Sequence, residues 1–165
     1  MDIASQRWKE PSYSKREIND AGIKIRSVNI TERERNQALE VIDNWRSAHA
    51  YPLHIFYMNL RRRVESRSDV YVAERLKRLE SIVGKLKREE RMELYRMQDL
   101  GGCRMVLPTL DEVYKFSERL QKSRIRHEHK KTNDYIQSPK KSGYRSLHLV
   151  YKFVTETKGK EIVKS

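Results

Sequence analysis

A single cysteine, Cys103, occurs in 165 residues, which excludes an internal disulfide and any metal site built from several thiolates. It lies in an apolar, strand-like run, and a reducing cytoplasm is the expected compartment. The N-terminal stretch MDIASQRWKEPSYSKRE has no apolar core of signal-peptide length. No later window approaches the roughly 18 apolar residues of a membrane span. Also missing are Gly-x-x-x-x-Gly-Lys-Ser/Thr, Gly-x-Gly-x-x-Gly and His-Glu-x-x-His, so P-loop, dinucleotide and zinc chemistry are disfavoured. There is no internal repeat and no low-complexity run.

Acid is scarce relative to base: 36 Lys and Arg stand against 23 Asp and Glu, a net +13. Such a charge concentrates polyanions around the chain, and nucleotides, RNA and anionic surfaces are all compatible with it. The 37% of apolar residues, with nine Tyr, three Phe and two Trp, suffices for one modest core.

Residues 1–30 mix Pro11, serines and charges with a short alternating piece at Gly22–Val28. They read as a partly ordered basic arm whose strand either stays apart or joins the main sheet. Thr31-Glu32-Arg33-Glu34 has the capping-box form. In the long helical segment that follows, Trp45, His49, Leu53, Phe56, Leu60 and Val64 fall on one face. His49 there is expected to be a hydrogen-bonded core histidine, and Pro52 should kink the segment or split it. Arg61-Arg62-Arg63 closes it as a solvated end that complements the helix dipole, or as a phosphate contact.

Beyond this, an extended piece over 69–76, a basic helix start over 81–88 and a buried strand over 101–107 are predicted. A second capping box at Thr109–Glu112 should open a helix with Val113, Phe116 and Leu120 inward. A strand and loop over 125–135 and a strand over 143–153 complete an α+β fold, a mixed β-sheet flanked by helices.

Three clusters could carry chemistry. Arg75, Lys77, Ser81 and Lys85 set three cations and a hydroxyl around a strand-to-helix transition, an arrangement that holds phosphates or is a solvated basic face. Asp99 precedes Gly101-Gly102 at the mouth of an apolar strand, where a carboxylate could hold Mg²⁺ or simply make a turn. In the last strand, alternation puts Leu147, Leu149, Tyr151 and Phe153 on one face and Tyr144, Ser146, His148, Val150 and Lys152 on the other. Tyr144 could stack a base and His148 hold phosphate oxygens. Eight Lys or Arg between residues 121 and 148, against Glu128 and Asp134 alone, suit a nucleotide polyphosphate or single-stranded RNA.

Taken in order, these clusters resemble the synthetase domain of the RelA/SpoT family, of nucleotidyltransferase type. Arg75-Leu-Lys-Arg-Leu-Glu-Ser81-Ile-x-x-Lys85-Leu is similar to its ATP-phosphate segment, and Asp99-Leu-Gly-Gly-Cys-Arg104 to its metal-binding strand. Asp134-Tyr-Ile-Gln-Ser-Pro-Lys140-Lys-Ser-Gly143-Tyr144-Arg-Ser-Leu-His148-Leu is similar to its Asp-Tyr-Ile-x-x-Pro-Lys-x-x-Gly-Tyr-x-Ser-Leu-His signature. The resemblance implies a synthetase domain over 31–165 that moves pyrophosphate from ATP to the 3′-hydroxyl of GDP or GTP. Asp99 would hold Mg²⁺ as the catalytic carboxylate, and Arg75, Lys77, Ser81, Lys85 and Arg104 would bind ATP. Lys140, Tyr144 and His148 would bind the acceptor.

The family's Glu-x-Gln-x-Arg-Thr strand has no counterpart in Glu161-Ile-Val-Lys-Ser165, which reads as a truncated C-terminal end. No His-Asp dipeptide occurs, so hydrolysis of the product is not expected. The stretch from Trp45 to Leu53 and the charge resemble the family's toxic small members, some of which modify the 3′ end of tRNA. That makes tRNA the alternative acceptor, and a non-catalytic nucleotide- or RNA-binding remnant the alternative to an enzyme. Further partners implied are a second copy of the chain, an antitoxin or a complementing C-terminal segment, with no membrane.

Overall fold

The computed structural model describes residues 8–154. The order of elements is α1 (Lys15–Lys24), α2 (Glu32–Ser47), α3 (Ala50–Arg63), β1 (Tyr71–Leu76), α4 (Leu79–Arg88), a 3-10 turn (Leu94–Arg96), β2 (Gly101–Val106), α5 (Leu110–Lys122), β3 (Glu128–Asp134) and β4 (Leu147–Lys152). The composition is α+β as expected. The strands pair as two two-stranded sheets, β1 with β2 and β3 with β4, rather than as one continuous mixed sheet.

Of the expected basic arm over 1–30, residues 1–7 lie outside the described part, and Lys15–Ile25 is a helix and cap packed into the core. Ser14 and Glu17 cap each other's backbone N–H groups, the same reciprocal device by which Thr31 and Glu34 open α2. Gly22–Lys24 is therefore helical, not extended. Ile18, Ala21 and Ile25 are buried with Ile42 and Trp45 of α2 and Ile82 of α4. A Cβ at Gly22 would lie 3.1 Å from Leu94 Cβ, so the missing side chain lets α1 approach the 3-10 turn closely.

Arg26 secures the same corner. Its guanidinium donates to Leu86 O at 2.8 Å, to Glu90 O at 2.5 Å and to Met92 O. Leu86 belongs to the last turn of α4, whose carbonyls have no partner within the helix, and one planar fork satisfies several such acceptors.

The long helical segment splits ahead of Pro52. α2 ends at its C-cap Ala48 and α3 begins at Ala50, which leaves Pro52 in the first turn, where its lack of an N–H costs nothing. His49, 4% exposed, bonds through Nδ1 to Trp45 O at 2.7 Å, as expected of a core histidine.

The molecule divides into two compact units, one formed by residues up to Arg63 with Ala73–Arg104, the other by Val64–Val72 with residues from Met105 onward. In the second unit β3 and β4 are antiparallel, with an irregularity between His129 and Lys131. Thr109 caps α5 by accepting from Glu112 N at 3.2 Å, but the box is half formed. The Glu112 carboxylate goes to Arg67 at 2.5 Å instead. The residues that follow Val154, Glu161 among them, lie outside the described part.

Replacing Arg26 with Met should lower the unfolding free energy by about 2–3 kcal/mol, because several carbonyls lose a charged donor at once. Urea denaturation of the two proteins reads this, and equal midpoints would show that the clasp adds nothing.

Candidate functional site

In the first unit, β1 and α4 deliver two lysines to one carboxylate. Lys77 follows β1 directly, and its N–H donates to Leu100 O at 2.7 Å. That bond brings the residue next to Asp99 against the strand exit. Lys77 Nζ then lies 3.0 Å from Asp99 Oδ2, while Lys85, from the last turn of α4, places Nζ 3.0 Å from Oδ1.

The Asp99 side chain is 49% exposed, so the site is open to a ligand. Partial burial by itself pushes the carboxyl pKa up, but hydrogen bonds from Lys77 and Lys85, reinforced by their charges, outweigh it and hold the group below its ordinary range.

Ser81 lies one turn before Lys85 on α4, on the same helix face. Arg78, at the N-cap, supplies no side-chain acceptor to the first turn, which leaves that end suited to an anion. Arg75 on β1 and Arg104 on β2 are exposed. Thus direct bonds join Lys77, Lys85 and Asp99, and no such bond joins Arg75, Ser81 or Arg104 to them among the described residues. Gly101 packs on Leu53, and a Cβ on Gly102 would meet nothing within 4 Å, so only the second glycine faces open space. Burial, and the neighbouring Glu74 charge, push the Cys103 thiol up to about 12, which disfavours the nucleophilic thiolate.

The second unit gathers the remaining candidates. β4 begins at Leu147, so Tyr144 and Ser146 stand in the loop before it rather than in the expected strand from Gly143, and both faces of β4 are half-buried. Asp134 organises the loop. Its Oδ1 accepts from Ile136 N at 2.9 Å and Gln137 N at 3.0 Å, and its Oδ2 accepts from the Tyr114 hydroxyl at 3.1 Å. Those backbone bonds to Gln137 and Ile136, with the Tyr114 hydroxyl, hold its carboxyl below the ordinary range against partial burial. Asp134 is thereby a turn-former.

Gly143, at φ +78°, donates to Lys140 O at 2.8 Å and closes the turn that returns Tyr144 beside Lys140. Lys140 Nζ sits 4.5 Å from the Tyr135 ring centre and 5.4 Å from that of Tyr144. The Tyr144 hydroxyl is 2.8 Å from His148 Nε2, and the Tyr135 ring meets His148 at 5.1 Å and 89°. All three expected acceptor residues are therefore together. Tyr135, unassigned in the sequence despite its place in the Asp-Tyr-Ile run, is the fourth member.

One half-exposed carboxylate suits Mg²⁺, which keeps several waters and takes phosphate oxygens rather than requiring a protein cage. Among the described residues no cluster of three or more His, Cys, Asp or Glu offers such a cage. No described helix is long and apolar enough to cross a membrane.

With its folded pKa depressed, Asp99 contributes stability above the ordinary carboxylate pKa and loses it as pH falls through the lower folded value. The stability gap between the wild type and Asp99→Asn should therefore be widest near neutrality and close below about pH 4. Thermal unfolding of both proteins at neutral and acid pH measures it. A gap that widens in acid would contradict the lysine clamp.

Residues 74–163 match the model of the region found in RelA/SpoT proteins. A GTP pyrophosphokinase of Bacillus subtilis, YwaC, is 36% identical over 85 residues, 46% of this chain and 38% of that protein. The structure of small alarmone synthetase 1 from B. subtilis bound to its product pppGpp aligns with a TM-score of 0.58 at 28% identity, over 67% of this chain and 64% of that one. A GTP pyrophosphokinase family protein from Streptococcus pneumoniae aligns at 0.54 and 26%, over 77% and 64%. The chain thus spans less than two thirds of these relatives. The family match covers more than half of the sequence and contains all three clusters, Lys77–Lys85–Asp99 included, and this chain belongs to the RelA/SpoT family.

Proposed function

We propose that this chain is an ATP-dependent pyrophosphokinase that transfers the β,γ-pyrophosphate of ATP to the 3′-hydroxyl of GDP or GTP. The observation that carries the reading is the opposition of Lys77 and Lys85 to Asp99 at 3.0 Å each. The lysine side chains are only 20% and 21% exposed, and an ion pair desolvated to that degree gains little net stability, so folding alone gives little reason to assemble three charges here. A site that handles phosphates and a divalent ion does. The family membership and the product named for the B. subtilis relative support the same substrate class.

In this reading the acceptor 3′-oxygen bonds to the β-phosphorus as its hydroxyl proton passes to solvent, while the bond to the α,β-bridging oxygen breaks and AMP leaves with that electron pair. Lys77 and Lys85 take phosphate oxygens as point charges, Ser81 adds a hydroxyl at the start of α4, and Arg75 and Arg104 bind the rest of the ATP. Asp99 would hold Mg²⁺, which supplies charge neutralisation on the phosphates when bound. Lys140, Tyr144 and His148 hold the acceptor, Tyr144 by stacking on the base and the other two through phosphates. No group acts as a covalent nucleophile. Catalysis by positioned charge needs cations and a carboxylate, and these are the residue types present.

AMP release from ATP and Mg²⁺ should depend on an added acceptor, with GDP, GTP and tRNA supplied separately. Asp99→Ala should reduce it at least about a hundredfold, and Tyr144→Ala should act mainly on the acceptor KM. AMP formed only with tRNA would reassign the acceptor. ATP binding with no AMP under any condition would leave a nucleotide-binding module.

A further inference from the structure

We infer that Arg46 is a positioning residue for the ATP half-site, acting through the backbone of Lys77; this rests on the donor role proposed above for that half-site. Arg46 stands next to last in α2, with no feature of spacing to mark it. Its Nε donates to Lys77 O at 2.7 Å, and its Nη1 donates to Asp43 Oδ1 at 3.2 Å. The side chain is 26% exposed.

The Lys77 backbone is thus gripped from both sides, its N–H by Leu100 O and its carbonyl by the guanidinium. Asp43 holds the guanidinium from the turn before on the same helix, which fixes the direction from which Nε approaches.

Two consequences follow for phosphate binding. The carbonyl orientation at Lys77 governs the direction of its side chain, whose Nζ must reach the Asp99 carboxylate. It also governs the entry into α4, since Arg78 is the N-cap and the helix carries Ser81 and Lys85. One hydrogen bond from α2 therefore sets three groups of the half-site. The two bonds of Arg46 lie within the first unit, so its effect should be confined to the donor side. A positively charged donor to a single carbonyl is stronger than a neutral one, and small displacements at a phosphate clamp are costly.

The test compares Arg46→Met, Arg46→Lys, Lys77→Met and the Arg46→Met/Lys77→Met double variant with the wild type. In protein without nucleotide, exchange of the Lys77 amide hydrogen should accelerate in Arg46→Met, while amides of β3 and β4 stay unchanged. In titrations with a non-hydrolysable ATP analogue, Arg46→Met should weaken binding about ten- to a hundredfold. Arg46→Lys should recover part of the loss, GDP binding should not move, and the double variant should lose less than the product of the two single losses, because Lys77→Met already removes one of the three groups that the Arg46 bond sets.

Unchanged exchange at Lys77 would overturn the inference. So would additive losses in the double variant, which would mean that Arg46 acts on the nucleotide itself, or parallel losses of ATP and GDP binding with faster exchange in β3 and β4, which would mean general unfolding. If Arg46→Met does not fold, Arg46→Lys carries the same comparison, because one ammonium cannot serve both Lys77 O and Asp43 in the fork geometry. A wild type that binds no ATP would refute the donor role, while the exchange measurement still decides whether Arg46 fixes the Lys77 backbone.

Discussion

Two ammonium groups share one carboxylate at Asp99, and the architecture of the first unit is the means of bringing them there. Lys77 comes from the end of β1, Lys85 from α4 and Asp99 from the approach to β2. None of these side chains can span the distance alone. Each must be delivered by an element whose own position is fixed, and the contact of Lys77 N–H with Leu100 O supplies the common reference. Elements fixed in this way hold the three charges close together before any ligand arrives, which is where much of the advantage of a preorganised site lies.

The supporting structure is mostly apolar packing tied off by arginines. Ile18 and Ala21 of α1 join Ile42, Ile82 and Leu86 in one core, so the N-terminal helix supports α4 from beneath. Arg26 finishes that support at the far end of α4, and Arg46 bonds to the Lys77 carbonyl just before it. Guanidinium groups suit the task because they stay charged and present several donors in one plane to carbonyls that helices and strands leave unpaired.

The cluster of Tyr135, Lys140, Tyr144 and His148 is built on a different principle. Its frame is a loop rather than a strand, held by the Asp134 carboxylate at one end and the positive φ of Gly143 at the other. Aromatic edges and one lysine fill it. Tyr135, Tyr144 and His148 meet nearly edge to face with Lys140 over the rings, an arrangement that leaves Tyr144 partly open for stacking.

The sequence by itself determined the helices with strong local signals, the splitting of the long segment near Pro52, the buried state of His49 and the residue types available for phosphate chemistry. These follow from contacts within about four residues, where backbone geometry alone decides which side chains share a face. The Ser14–Glu17 cap was not read from the sequence; the alternation after Gly22 suggested a strand, and only burial against α2 and α4 made this region part of the core. Which charges meet was decided by tertiary structure. Lys77 and Asp99 are 22 residues apart, and Arg46 and Lys77 are 31 apart. Their encounters depend on how helices and strands pack, and local periodicity carries no information about that. The same holds for Glu112, which had the right spacing to complete a cap and was drawn instead to Arg67, 45 residues away, where a full opposite charge binds a carboxylate more strongly than a neutral backbone N–H does.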